Sequence, residues 1–441
     1  MISFTDLNFL FRFLPGLLLI YYMVPLHLRD VVLLLGSLVF YAVGEPVLVA
    51  LLLVLTVVNF LCAKGGKGLS ITAVLINVAV LAAFKGFGFI SENAFLPLGL
   101  SFYLFKMISF QIDVTRGQIE ERITFRKTAL YFTLFPQVIS GPIMRYGQGD
   151  FGYAKRFDLE QIGDGLSYMV MGLSMKVLLA DRLAILWNDL QMIGYISIST
   201  PLAWLGMLGY SLQLYFDFWG YSLMAAGILM LFGYEFVENF RHPYGAVSVS
   251  DFYRRWHMTL GAFFRDYVYI PMGGSRCGKL RTVINLAVVW LITGIWHGSG
   301  IHFLVWGGVL GVLIMAEKLC YGKLLTKVPV LGHLYVWFVI PLTWMLFAIP
   351  GKEAVLEYLG RLFPFAGAGG VAVNTGDILL YGSRYGLLML VGLILCIPAV
   401  FRAIDKRKRN PLVVLLLAGL FWMSVYMTAN TAGNPFMYFD F

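Results

Sequence analysis

Apolar runs of about twenty residues recur along almost the whole chain, and they allow it only one kind of solvent. Of 441 residues, 59% are hydrophobic and only 13% are charged, whereas a soluble domain is roughly 45–50% apolar and about 25% charged. A water-soluble fold would need polar surface that this chain does not contain. Covering the hydrocarbon core takes roughly 20 apolar residues per helix. The apolar stretches at 8–26, 31–43, 47–63, 69–90, 96–112, 128–144, 162–187, 200–232, 282–296, 300–317, 334–348, 376–401 and 411–428 therefore predict an all-α, polytopic membrane protein. About 10–13 of its helices would span the bilayer or re-enter it. The stretches 31–43 and 128–144 are too short to cross alone and are expected to be tilted, re-entrant or covered by protein. The first stretch has no basic n-region and no clear small-residue cleavage site, so it is expected to remain as a spanning helix.

Charge gives an orientation. The net charge of +9 is spread over short loops: Lys64 and Lys67; Arg116, Arg122, Arg126 and Lys127; Arg276, Lys279 and Arg281; Arg402 with Lys406 to Arg409. This is the pattern of cytoplasmic loops, not of a nucleic-acid surface. Alternating the loops puts Glu45 and Asp6 outside and His27, Arg29 and 113–127 inside. With 402–409 inside, both termini lie outside the cell membrane. Four cysteines, Cys62, Cys277, Cys320 and Cys396, form no C-x-x-C pair and read as packing residues. No inverted repeat or soluble domain is visible, so residues 1–441 read as one integral-membrane domain.

Polar chemistry concentrates between about 97 and 310. Asp251 to Arg276, DFYRRWHMTLGAFFRDYVYIPMGGSR, sets Arg254, Arg255, His257, Arg265 and Asp266 among aromatic and aliphatic residues. Two readings fit: an interfacial helix with snorkelling arginines, or a segment that enters the protein to line a polar cavity. His297 stands in VVWLITGIWHGSGIHFLVWGG, flanked by Gly294, Gly298 and Gly300. A packed core histidine is one reading. The glycines favour the other, because they let backbone or ligand approach, and neutral imidazole is a natural general base near pH 7. His297 and His302 are five apart, on different helix faces, and no H-E-x-x-H, G-x-S-x-G, P-loop or G-x-G-x-x-G occurs. Zinc hydrolysis, serine hydrolysis and nucleotide-driven pumping are thereby disfavoured.

Five ordered blocks then carry a resemblance: FLPLGLSFYLFKMISFQIDVTRG at 95–117, LFPQVISGPIMRY at 134–146, LQLYFDFWGYSLMAAGILMLFGYEFVENFRHPY at 212–244, FYRRWHMTLGAFFRDYVYIPMGG at 252–274 and TGIWHGSGIHFLVWG at 293–307. With these the chain resembles the membrane-bound O-acyltransferase (MBOAT) family along essentially its whole length. It is most similar to the bacterial branch of alginate O-acetyltransferase (AlgI-like) and D-alanyl-transfer (DltB-like) proteins. The resemblance implies a helical bundle around a reaction tunnel. It also implies His297 as catalytic histidine, His257 as the second characteristic position, and Arg265 and Asp266 in the tunnel wall. Arg254, Arg255, Trp256, Trp296 and Asp217 join these as expected substrate-binding residues. At 217–224 the chain reads DFWGYSLM where family members often carry D-F-S/A-G-Y-S-D-M, so Trp219 and Leu223 replace a small residue and an acid. That weakens any role for this patch, and Asp217 reads equally well as a buried, hydrogen-bonded acid.

The implied activity is transfer of an acetyl group from a cytoplasmic thioester toward an extracellular or cell-wall polysaccharide. No cofactor or metal is expected. The donor would be acetyl-CoA or a carrier's phosphopantetheine thioester, gathered by Arg254, Arg255, Arg276, Lys279 and Arg281, which equally suit a purely topological role. D-alanyl transfer to teichoic acid is the alternative within the same chemistry, and a transporter or flippase is the alternative outside it. The C-terminal NPFMYFDF resembles an F-x-Y-x-x-F ending shared by AlgI-like proteins and a short companion peptide of D-alanylation systems. That similarity implies Tyr438 as an acyl carrier to an extracellular SGNH-type acyltransferase partner. The other reading of the tail is an aromatic belt among membrane lipids.

Overall fold

The structure is a computed structural model that describes residues 3–90, 99–139, 141–149, 157–366 and 374–431. Every regular element among them is helical. Eight helices are long and apolar enough to cross a membrane: Leu26–Gly44, Lys67–Phe87, Thr200–Leu231, Gly278–His297, Ile301–Lys327, Pro329–Ala348, Asp377–Leu395 and Pro411–Asn430. Two shorter apolar helices, Phe9–Met23 and Leu48–Lys64, accompany them. The chain is a multi-pass membrane protein, as its composition requires.

The thirteen apolar stretches sort into spans and internal pieces, with one correction. Residues 31–43 belong to a full span, because the helix starts earlier, among charges that are neutralised. Arg29 and Asp30 are buried; the Arg29 guanidinium lies 4.8 Å from the Tyr22 ring centroid, and Asp30 is 3.9 Å from Arg126. Residues 128–138 are buried, as expected for a stretch covered by protein, and the structure adds a break at Leu134 between Phe125–Thr133 and Phe135–Ile139. The stretch near 96–112 becomes Leu100–Thr115, a helix with a largely buried surface that packs inside the bundle.

The centre is the 32-residue helix Thr200–Leu231, whose best apolar window is completely buried. A helix apolar on every side belongs in the interior of a bundle. It packs most closely against Leu159–Ser174, and glycines on both helices explain why. A Cβ on Gly220 would stand 2.7 Å from the Gly172 carbonyl oxygen, and one on Gly227 would stand 2.5 Å from that of Gly165. Small residues allow such backbone contact in membranes, where dispersion and close packing replace the hydrophobic drive between helices. Beyond this crossing the chain makes a π turn, Met175–Ala180, which turns Lys176 inward. Its ammonium lies 2.6 Å from both Asp181 and Asp217, so a charge that would be costly in the bundle is compensated on the spot.

Residues of the basic loops are tied to groups remote in sequence. His27, Asp30 and Arg126 meet one another, Arg116 reaches Asp266, and Arg409 pairs with Glu160 and Asp164. The Arg409 hydrogen bond holds the Asp164 carboxyl below its usual pKa. These are loops of the basic set.

The glycine crossing yields a prediction. Gly220→Ala forces the two central helices apart and should cost about 1–3 kcal/mol, read as a lower thermal midpoint in detergent. Gly386→Ala, where nothing lies within 4 Å of the added Cβ, should leave the midpoint unchanged or slightly raised.

Candidate active site

Between the end of the central helix at Leu231 and the start of the next span at Gly278, the chain is broken into short pieces that are partly buried and partly exposed. Each piece is fixed by a specific bond. The Arg241 N–H donates to the Arg255 carbonyl (2.9 Å) and the Met258 N–H to the Asn239 carbonyl (2.8 Å), so 239–241 runs alongside 255–258. The short helix Val249–Arg255 is capped by Ser248, whose hydroxyl accepts from the Asp251 N–H at 3.0 Å. It is held again from outside by Glu317, whose carboxylate accepts the Val249 and Ser250 N–H groups at 2.6 and 2.8 Å. The helix ends at Trp256. His257 then takes φ 44°, in the left-handed region that non-glycine residues rarely occupy, and Met258–Phe264 begins. Asn285 closes the far end by donating to the carbonyls of Met272 (3.2 Å) and Gly274 (2.9 Å).

His297 is placed by a helical hairpin. Gly278–His297 and Ile301–Ala316 approach so closely that a Cβ on Gly294 would lie 2.7 Å from the Phe303 carbonyl oxygen, and one on Gly307 would lie 2.6 Å from that of Trp290. Of the glycines flanking His297, Gly294 therefore serves backbone approach, whereas a Cβ on Gly298 or Gly300 would meet the rings of Phe303 and His302. The imidazole sits edge-on to Trp306 and Phe347, with centroids 4.9 and 5.2 Å away, and beside Trp296 at 4.6 Å. Aromatic walls of this kind fix a ring's orientation and exclude water.

Both histidines line one cavity of about 770 Å³, within the usual range for sites that enclose a ligand. Along Gly278–His297 its wall is Leu286, Val289, Trp290, Thr293 and His297, a single helical face. From Leu286 to His297 that face runs about 16 Å at roughly 1.5 Å per residue. The cavity is graded in polarity. Arg254 and Arg265 line it with side chains 74% and 62% exposed, Lys318 adds a third cation, and the histidine end is buried. Trp306, on the same wall, has an indole N–H with no partner among the described residues.

The expected site residues thus separate. His257, His297, Trp256, Arg254 and Arg265 share the cavity, and Trp296 backs His297 from beside it. Arg255 instead pairs with Asp251 at 2.8 Å. Asp266 is held by Arg265 and Arg145 at a neighbouring pocket that also includes Arg116. Asp217 neutralises Lys176 and is not among the lining residues. Tyr438 lies outside the described residues. Sequence reasoning missed Glu317, Lys318, Tyr253 and Trp306, all on the cavity wall. A carboxylate inside the apolar run Ile301–Lys327 was a usable signal for Glu317, since ionisable residues in spans mark sites. No cluster of metal-ligating side chains occurs among the described residues.

Two buried histidines on a cavity with a basic mouth coincide with a family match. The model of the membrane-bound O-acyltransferase family matches residues 75–352. The chain belongs to the MBOAT family. It is accordingly an acyltransferase. A probable alginate O-acetylase, AlgI, of Pseudomonas syringae is 32% identical over 394 residues, 82% of this chain and 75% of the relative. A peptidoglycan O-acetyltransferase of Helicobacter pylori is 31% identical over 411 residues, 80% of this chain and 78% of the relative. A teichoic acid D-alanyltransferase of Bacillus subtilis is 28% identical over 235 residues, 51% of this chain and 59% of the relative.

The capping of the broken segment can be tested by substitution. Glu317→Ala removes the acceptor for one buried and one half-buried N–H group and should destabilise by about 1–3 kcal/mol for the buried group left unpaired. Hydrogen exchange should accelerate at Val249 and Ser250 in the variant, while the Asn285-tied turn at Met272–Gly274 stays protected.

Proposed function

We propose that the protein transfers an acetyl group from a cytoplasmic thioester toward O-acetylation of an extracellular or cell-wall polysaccharide, with His297 as general base. The observation that carries this reading is one cavity of about 770 Å³ lined both by the exposed cations Arg254, Arg265 and Lys318 and by the buried His297 and His257. A basic mouth suits a phosphate-bearing donor such as acetyl-CoA or a carrier's phosphopantetheine arm, and a long apolar wall suits an extended acyl-thioester chain. The distribution of positive loops supports a mouth on the cytoplasmic side of the cell membrane and termini outside.

In the reaction, His297 takes the proton of the acceptor hydroxyl as the oxygen bonds to the thioester carbonyl carbon. The C–S bond then breaks, and the departing thiolate receives the proton back from His297. A base so placed typically contributes 10²–10⁴-fold. Tyr438 is the proposed first acceptor, on the strength of the F-x-Y-x-x-F ending. From there an SGNH-type transferase outside the membrane would carry the group to the glycan. Acetyl is favoured over D-alanyl because the O-acetylating relatives align over far more of the chain than the D-alanyltransferase does.

Mass spectrometry of the C-terminal peptide from native membranes tests this directly. The expected result is an acetyl adduct on Tyr438 that is absent from His297→Ala. An alanyl adduct would move the activity to D-alanylation. Normal polysaccharide acetylation by a folded His297→Ala protein would remove His297 from the reaction, and transport retained without acylation would favour a flippase.

A further inference from the structure

The hydrogen atoms around His257 can be assigned from obligatory donors alone. The Thr259 backbone N–H can only donate, and it points to Asn239 Oδ1 at 3.2 Å. Asn239 must therefore present its oxygen, not its amide nitrogen, to this corner. The Ile143 backbone N–H, also an obligatory donor, points to Thr259 Oγ1 at 3.0 Å. The Thr259 hydroxyl hydrogen is thus free to turn to Asn239 Oδ1, 2.9 Å away. His257 Nδ1 lies 3.1 Å from the same Oδ1. A lone pair on Nδ1 would face the lone pairs of a carbonyl oxygen, so Nδ1 must carry a hydrogen. Burial pushes the His257 pKa down, to about 3, which leaves the ring neutral and Nε2 bare. That Nε2 is buried and has no partner among the described residues, on a ring that lines the cavity.

We infer that Asn239 is a positioning residue that holds His257 as the Nδ1–H tautomer, so that Nε2 faces the reaction cavity as a hydrogen-bond acceptor only. The inference rests on the acyltransferase reading for its consequence but not for its geometry. His257 then receives an O–H or N–H of the molecule bound beside His297, and in its neutral form it cannot donate to a carbonyl oxyanion. The backbone supports the assignment. The left-handed turn at His257 is held by the Met258 N–H on the Asn239 carbonyl, so the residue that fixes the tautomer also fixes the strained backbone. On the opposite side the ring meets Phe218 edge-on at 4.7 Å, which offers no competing polar contact.

The test is ¹⁵N-histidine solid-state NMR of the full-length protein in lipid bilayers, with the His257 signals identified by their loss in His257→Gln. The expected spectrum has a protonated Nδ1 and an unprotonated Nε2. A protonated Nε2 in the wild type overturns the inference, whatever reaction the protein catalyses. A second readout is thiol release from acetyl-CoA by the purified full chain. Asn239→Leu should lower kcat by roughly 10- to 100-fold with KM for acetyl-CoA little changed, the scale seen when an orienting partner is lost. Asn239→Asp, which keeps the acceptor oxygen, should restore most of that loss. In a His257→Ala background Asn239→Leu should have almost no further effect. An equal loss in both backgrounds would make Asn239 a purely structural residue and overturn the inference. Absence of thiol release from acetyl-CoA in the wild type counts against the donor named above and leaves the NMR result to decide.

Discussion

Backbone amides and carbonyls that leave a regular helix inside a membrane bundle have no water to turn to, and each one left unpaired costs several kcal/mol. The site of this protein is built on that constraint. Between Leu231 and Gly278 the chain abandons the long helix for short pieces, several of which carry buried backbone groups. It can do so only because Glu317, Ser248, Asn239 and Asn285 supply partners for the exposed backbone groups. The irregular conformation then delivers His257, which no continuous helix would present in the same way.

The same partners tie together two parts of the chain that are remote in sequence. Glu317 follows the hairpin that carries His297, and it caps the short helix that leads into His257. One carboxylate thus holds the two histidine-bearing elements in register. The hairpin is fixed independently by Gly294 and Gly307, whose missing side chains let its two helices touch backbone to backbone. Precision at the site comes from these rigid supports, since a reacting group must be held to within a fraction of an ångström to be useful.

Buried charge follows a consistent rule in this bundle. Lys176 lies between Asp181 and Asp217, Asp30 lies near Arg126, and Glu317 accepts from backbone donors. The cavity is different. His257 Nε2 and the Trp306 indole are buried there without described partners, and unfilled hydrogen-bonding capacity in a pocket is what a bound molecule would satisfy.

Much of this was legible in the residues themselves. Length and spacing of apolar runs dictate a helical membrane protein, because a bilayer admits few other ways to satisfy a backbone. The W-H-G and R-R-W-H blocks draw attention to His297 and His257 through their resemblance to the family's motifs, since an isolated histidine in an apolar run reads equally as a packed core residue. The sequence alone did not separate Asp217, which neutralises a lysine, from Arg254 and Arg265, which line the cavity. Nor did it reveal that Asn239 serves His257 or that Glu317 caps a helix more than sixty residues upstream. Those facts depend on which groups meet across the bundle, and a hydrogen bond forms at about 3 Å between atoms whatever their separation along the chain. Sequence determined the solvent, the helices and the reactive residue types; only the tertiary packing decided which polar groups answer one another and which are left to face a substrate.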